Sequence, residues 1–272
     1  MLYWVYPVDG TNANVAVGYE AGKLITTGIN NTAVGYQSLG ASAAAANTGG
    51  NNACFGYRAG YDLEGSGGNS NTLVGSTAGD GMTTGGNCVF VGYATDGTAD
   101  ADNQIAIGNG VVTDGANKGR WGNSSIATNN IQTDWTVDSD RRIKKDIEDS
   151  DIGLSFVNAL KPRKFRKRHP SEWDAEILEE RYKKGGANYD DDKDEVVKDE
   201  FDEDKVWNGL IAQEVKDVMD ESGKDFSGWY ADTKGKQGIQ YSTMVVPLIK
   251  AVQELSEKVE SQQKEIEELK KK

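Results

Sequence analysis

A short unit recurs six times in the first half of the chain, and this repeat constrains the fold more than any other feature. The units are NVAVGYEAG, NTAVGYQSLG, NACFGYRAG, NTLVGSTAG, NCVFVGYATD and NQIAIGNGV. Their aligned glycines lie 16 to 21 residues apart, at Gly18, Gly35, Gly56, Gly75, Gly92 and Gly108. A constant core joined by loops of varying length is typical of a stacked repeat architecture.

Each unit predicts one short strand. In the first unit, Val15, Val17 and Tyr19 alternate with their neighbours and share one face, while the Asn and Gly clusters supply turn residues with positive φ. A single rung cannot bury its apolar face, but rungs stacked about 4.8 Å apart can. We therefore predict an all-β shaft, a β-roll or β-solenoid, over residues 1–112, followed by a connector at 113–138.

The two halves of the 272-residue chain differ sharply in composition. Residues 1–138 hold 25 of the 33 glycines and four Lys or Arg, whereas residues 139–272 hold the other 26 Lys or Arg. The formal net charge of −13 argues against nucleic acid and anionic membranes as partners. No apolar run reaches the roughly 18 residues of a membrane span, and the first seven residues lack the basic region of a signal peptide.

Few residues of the chain are suited to binding metals. Cys54 and Cys88 lack the paired spacing of a zinc site, and the only histidine, His169, lies in a polar segment before a proline. If the cysteines share one column of the solenoid, two rungs separate them by roughly 10 Å, which is beyond disulfide reach. We expect free thiols, no metal site and no cofactor.

Helical patterns begin after Ser139. Ile152, Phe156 and Leu160 recur every four residues and predict a helix that ends before Pro162, with Ser150 or Asp151 as its N-cap. The following RKFRKR predicts a strand, and the acidic segment 172–204 predicts a solvated, partly mobile insertion. Farther on, Ile211, Val215 and Met219 share one face of a second predicted helix.

The C-terminal residues 245–272 predict a long helix that begins near Pro247. Its heptad positions a are Val245, Val252, Val259 and Ile266, and its positions d are Leu248, Leu255, Gln262 and Leu269. β-Branched residues at a with leucine at d favour two strands, whereas the family resemblance of the first-half repeats, given next, implies three. The polar Gln262 weakens the first rule, so we expect a coiled coil whose strand number the shaft decides.

The N-terminal units resemble the head repeats of trimeric adhesins and the shaft modules of phage tail fibres. The recurring pattern is Asn-x-x-x-Gly-Tyr-x-x-Gly, over about residues 12–112. The resemblance implies that three chains pack their β-rolls side by side. A generic Gly/Asn-rich solenoid is the alternative, and neither version requires an active site in this half.

Four motifs of the second half occur in the order seen in another family. SDRRIKKDI, LKPRKFR, GLIAQEV and YSTMVVPLIKAVQEL resemble the intramolecular chaperone domain at the C-terminus of phage tail spikes and fibres, which is also found in the myelin regulatory factor. The resemblance implies an α+β chaperone core at 139–244. It also implies assembly as a homotrimer, guided folding of the upstream β-rich part, and self-cleavage by a Ser/Lys serine peptidase. By position the nucleophile is Ser139, the base is Lys144, and the scissile bond is Asp138-Ser139.

The residues themselves are compatible with this chemistry but do not require it. A serine hydroxyl needs a base, and lysine serves as one only if its pKa falls from about 10.4 towards neutrality, through burial and nearby cations. Arg141, Arg142 and Lys145 supply such cations next to Lys144. Without the other motifs, however, Ser-Asp before RRIKKDI is an ordinary helix cap.

Taken together, the two resemblances imply a homotrimeric fragment of a phage tail fibre that is made in the host cytoplasm and becomes part of the virion. Its partner is a host-cell surface receptor, and its C-terminal chaperone cuts itself off. The main alternative is a trimeric adhesin-like fibre with a non-cleaving C-terminal trimerisation clamp. A third class is a regulatory protein released from a precursor by the same domain, which the shaft repeats disfavour.

Overall fold

The structure, a computed structural model, describes residues 13–271 apart from 41–45, 124, 125, 127, 134, 179–181, 185–188, 197–203 and 233. The described residues form two compact units. One unit takes its residues from 1–129 and 178–201, and the other takes them from 130–177 and 202–272.

Seven short parallel strands build the first unit, and each pairs with the next strand along the chain. They are β1 (Val15–Val17), β2 (Thr32–Val34), β3 (Ala53–Phe55), β4 (Thr72–Val74), β5 (Val89–Val91), β6 (Gln104–Ile107) and β7 (Lys118–Trp121). Consecutive rungs in parallel register make a β-solenoid, as the repeats predicted. β7 lacks the repeat motif but pairs with β6, so the sheet extends into the segment predicted as a connector.

The middle residue of each of the first five strands, and its equivalent in β6, points into the solenoid. This buried column consists of Ala16, Ala33, Cys54, Leu73, Phe90 and Ala106. Cys88 lies just before β5, outside this column, so the two cysteines do not share a column as we had supposed. Both are free thiols, as predicted, and burial raises the pKa of Cys54 to about 12.

The repeat glycines form a second column, in which backbones of adjacent rungs approach closely. Gly56 has φ +141°, and a Cβ built on it would lie 2.2 Å from the carbonyl oxygen of Gly75 in the next rung. Gly18, Gly35 and Gly75 make the same approach to the next rung at 2.2 to 2.3 Å. Only glycine therefore fits at this corner, for reasons of both φ and space.

We expect Gly56→Ala to destabilise the solenoid by about 3 kcal/mol, because the methyl group meets backbone atoms that cannot move aside. Gly115→Ala is the matched control. Its φ is +149°, but its nearest contact is the flexible end of the Lys118 side chain at 3.9 Å. Thermal unfolding of both variants should show the larger loss at Gly56, and equal losses would assign the cost to φ alone.

A ladder of buried asparagines runs beside the glycine column. Asn31, Asn52 and Asn71 are fully buried or nearly so, and the Oδ1 of each accepts the backbone N–H of the next rung at 2.9 to 3.0 Å. Their Nδ2 atoms donate across the coil to the carbonyls of Gly49, Gly68 and Gly85. These asparagines thus stabilise the interior, while the preceding position holds the positive-φ turn residue in every rung.

A stack of carboxyl groups occupies another side of the solenoid. Asp96 receives the backbone N–H of Gly97 at 2.9 Å, and burial raises its pKa to about 7, with Asp80 and Asp62 adding to the rise. The pKa of Asp80 is also raised, mainly by burial. Because a folded-state pKa above the usual 3.9 favours the protonated form, the stability from Asp96 is present below pH 4 and is lost as the pH rises towards 7.

Asp96→Asn should therefore raise the melting temperature at pH 8, by about 10 °C, and should have little effect at pH 4. The asparagine keeps an oxygen for the N–H of Gly97 and removes the buried charge. Asp100→Asn, at an exposed position of the same unit, is the control. A stabilisation of equal size at both pH values would contradict the assigned protonation.

The second unit is a small α/β assembly. Its elements are α1 (Leu154–Ala159), β8 (Arg163–Phe165), β11 (Trp207–Gly209), α2 (Ala212–Ser222), β12 (Trp229–Ala231), β13 (Gln237–Ile239) and α3 (Val245–Lys270). β8 pairs with β11, and β12 pairs with β13, both antiparallel. The core holds Phe156, Val215 and Met219 of the predicted faces, together with Phe226 and Met244.

The acidic segment contains a two-stranded hairpin, β9 (Tyr189–Asp190) with β10 (Glu195–Val196). It falls within the residues that group with the first unit. Part of the predicted insertion is therefore ordered, and its residues 179–181, 185–188 and 197–203 lie outside the described residues.

The predicted N-cap of α1 is wrong. The cap residue is Gly153, and the first helical N–H, that of Leu154, donates to the carboxylate of Glu254 on α3 at 2.8 Å. Ser150 instead accepts the N–H of Ile152, before the helix begins. A Cβ on Gly153 would lie 2.3 Å from the Glu254 carboxylate, so the glycine leaves room for this long-range cap.

The helix α3 begins two residues before Pro247, after a 3-10 turn at Tyr241–Met244. Pro247 and Ala251 are buried. The predicted a and d positions, called the α3 seam below, are uncovered: Leu255 is 50% exposed and Val259 is 56% exposed. Among the helices that the structure describes, none combines the length and apolarity needed to cross a membrane.

Candidate active site

The chain turns sharply just after Ser139, the first residue of the charged half. Asp140 begins a 3-10 helix at Arg141–Ile143, and its Oδ1 accepts the backbone N–H of Arg142 at 2.8 Å. Aspartate is a favoured N-cap because its side chain satisfies an N–H that the helix leaves unpaired. The turn reverses the chain and ends at Lys144.

This turn brings the two predicted site residues together. The Nζ of Lys144 donates to the Oγ of Ser139 at 2.6 Å. With a neutral lysine, the same two atoms would share a hydrogen bond donated by the hydroxyl. The distance lies within the range needed for proton transfer between a nucleophile and its base.

Asp140 and Arg142 form an ion pair that sequence reasoning missed. The guanidinium of Arg142 donates hydrogen bonds to both carboxylate oxygens of Asp140, with Nε 3.0 Å from Oδ1 and Nη2 2.6 Å from Oδ2. These hydrogen bonds hold the pKa of Asp140 below its usual range. The positive charge of Arg142 is therefore offset, and the expectation that it acts on Lys144 as an uncompensated cation is corrected. The spacing Asp-x-Arg after a candidate nucleophile was the available signal.

Both site residues are exposed within a single chain, as are all the residues of segment 135–149 around them. Large apolar side chains on either side are uncovered as well: Val137 is 81% and Ile143 is 68% exposed. The burial that favours a neutral lysine is therefore not supplied by one copy of the chain. A surface of this kind is suited to being covered by another chain.

The other sequence motifs contact one another within the same unit. Strand β8 of LKPRKFR carries Arg163, whose guanidinium forms an ion pair with Glu214 of GLIAQEV. The N–H of Leu210 donates to the hydroxyl of Tyr241, the first residue of the last motif, at 2.7 Å. Residues far apart in the sequence thus form one small domain around a shared core.

These features define a two-part protein, in which a parallel β-solenoid precedes an α/β unit that ends in a long helix. Residues 139–224 match the family model described as chaperone of endosialidase. The second half of the chain is therefore similar to the chaperone of endosialidase, which confirms the family resemblance; three of the four motifs lie within the matched residues, and the fourth follows them. The matched region begins at Ser139 itself. No curated protein matches the chain.

Proposed function

We propose that this chain belongs to a phage tail fibre whose C-terminal domain assembles three chains, guides folding of the solenoid and then releases itself at Asp138-Ser139. The observation that carries the proposal is the 2.6 Å contact between Lys144 and Ser139, located where the chaperone domain begins. In the virion, the remaining solenoid would contribute to attachment at a host-cell receptor.

The proposed cleavage is an acyl transfer followed by hydrolysis. A neutral Lys144 takes the hydroxyl proton of Ser139 as the Oγ bonds to the carbonyl carbon of Asp138. The peptide C–N bond breaks, and the departing nitrogen takes that proton to become an amino terminus. Water then hydrolyses the ester, which leaves a carboxylate at Asp138 and restores the serine hydroxyl. The carbonyl can belong to the same chain or to a neighbour, with the same products.

Two uncovered apolar surfaces support trimeric assembly. On the solenoid, the last residue of several strands points outward and is 36% to 40% exposed: Val17, Phe55, Val74, Val91 and Ile107. On α3, the a and d positions form the second surface. Continuous apolar stripes of this kind are typical of surfaces that pack against another chain.

A non-cleaving trimerisation clamp is the second candidate function. It is favoured by the exposure of Ser139 and Lys144, because self-cleavage needs a covered site and a single chain does not provide one. In this case the a and d positions of α3 would hold the chains together, and Ser139 would only precede the turn that Asp140 caps.

A denaturing gel of freshly expressed protein separates the two functions. Self-cleavage predicts fragments of about 138 and 134 residues, which the 272-residue chain yields when cut before Ser139. A single full-length band from protein that sediments as a trimer would favour the clamp.

A further inference from the structure

Asp140 places a carboxylate directly after the candidate nucleophile, and this placement creates a problem for a lysine base. Asp140 directly follows Ser139 and lies four residues before Lys144. A carboxylate that paired with the lysine would favour the ammonium form and draw the amine away from the hydroxyl. The proposed cleavage requires the opposite, a neutral amine held on Ser139.

Arg142 forms an ion pair with this carboxylate. Its side chain reaches both oxygens, with Nε also 3.1 Å from Oδ2, while its backbone N–H uses Oδ1 as the cap of the turn. Arginine stays protonated at any usable pH and matches a carboxylate in a fork, which lysine cannot do. In competition for Asp140, the guanidinium therefore has the advantage over the amine of Lys144.

We propose that Arg142 is a positioning residue. Its ion pair with Asp140, called the lock below, keeps this carboxylate away from Lys144, so that the amine of Lys144 stays hydrogen-bonded to Ser139. This inference rests on the proposed self-cleavage and adds a requirement to it. The other charged residues of segment 135–149 are Asp138, Arg141, Lys145, Asp146, Glu148 and Asp149. When neighbouring chains cover segment 135–149, the attraction between Asp140 and Arg142 becomes stronger, because the interaction between opposite charges grows as water is excluded.

The ion pair can be removed without removing the turn, because the turn is capped through a backbone N–H. The cap uses the N–H of residue 142, which any side chain except proline retains. Asparagine at position 140 is an equally good N-cap but carries no charge. A double substitution can therefore remove the competing carboxylate and keep the turn.

The test measures cleavage rate against pH for purified trimers of Arg142→Gln, of Asp140→Asn with Arg142→Gln, and of the control Arg141→Gln. We expect Arg142→Gln to cut about tenfold more slowly at pH 7 and its rate to rise about one pH unit higher, because Asp140 now pairs with Lys144. The double variant should recover to within about threefold of the wild type. Arg141→Gln also removes a cation next to Lys144 but keeps the lock, so it measures the loss of nearby positive charge alone; it should slow cutting less than about threefold and leave the pH profile without the shift of about one unit.

The lock is refuted if Arg142→Gln keeps the wild-type pH profile, or if the double variant is as slow as the single one, since a merely structural role of Arg142 gives no recovery. A second readout does not depend on cleavage. In a Ser139→Ala background, acylation of Lys144 followed by mass spectrometry should need a higher pH with Arg142→Gln than with Arg142, and the double variant should reverse this. Equal labelling in all three would reject the lock, whereas cutting by Ser139→Ala would reject the proposed function.

Discussion

Ser139→Ala is expected to give a folded chain that assembles normally and stays uncut. The substitution removes the nucleophile but few contacts, because the side chain is exposed and its described hydrogen bond is to Lys144. Lys144→Arg should slow cutting by at least about 100-fold, since arginine cannot give up its proton to serve as a base. A denaturing gel followed over time measures both effects.

Lys145→Arg is the matched control for these variants, because it changes the neighbouring exposed lysine in the same way. It should be cut at close to the wild-type rate. Continued cleavage of Ser139→Ala at the same bond would remove Ser139 from the mechanism. Full activity of Lys144→Arg would transfer the role of the base to another group.

Disruption of the α3 seam should abolish assembly and cleavage together. Leu255→Asp with Val259→Asp places two charges on the stripe that would face the other helices. Both positions are at least half exposed in the single chain, so the charges cost little there and act through assembly. Sedimentation should show a shift from trimer to monomer, and the denaturing gel should show a parallel loss of cut product.

The control is Gln253→Asp with Ser261→Asp, which adds two negative charges to the same helix outside the a and d positions. It should remain trimeric and be cut. Efficient cleavage by a monomeric seam variant would show that assembly does not activate the site. The exposed lysine would then have to work without the burial that we assign to neighbouring chains.

The solenoid could be predicted because each rung repeats the same local requirements. The glycine corner needs a residue with positive φ and no Cβ, so the glycine recurs at every rung and marks the register. The asparagine ladder was missed because asparagine is also a turn residue, and only the rung-to-rung contacts separate the two roles. β7 was missed because Lys118 to Trp121 pair through their backbone and share no side-chain pattern with the other rungs.

Prediction of the second unit succeeded in part for the helix faces and failed for contacts that join distant residues. Ile152, Leu160 and Ile211, which were predicted on these faces, lie just outside α1 and α2. Phe156, Val215 and Met219 are buried as their periodicity indicated. The cap of α1 comes from Glu254, 100 residues away from Leu154, and no local pattern encodes it. In the candidate site, the family motif predicted Ser139 and Lys144, which lie in contact, but the pairing of Asp140 with Arg142 required side-chain geometry.

The central claim is that the chaperone domain cuts the chain at its own first residue. The most direct measurement is the intact mass and N-terminal sequence of the C-terminal product from freshly assembled wild-type protein. Self-cleavage as proposed predicts a fragment that begins Ser-Asp-Arg-Arg-Ile, with Ser139 as its first residue. A full-length chain in every trimer, or a new amino terminus at any other position, would contradict it.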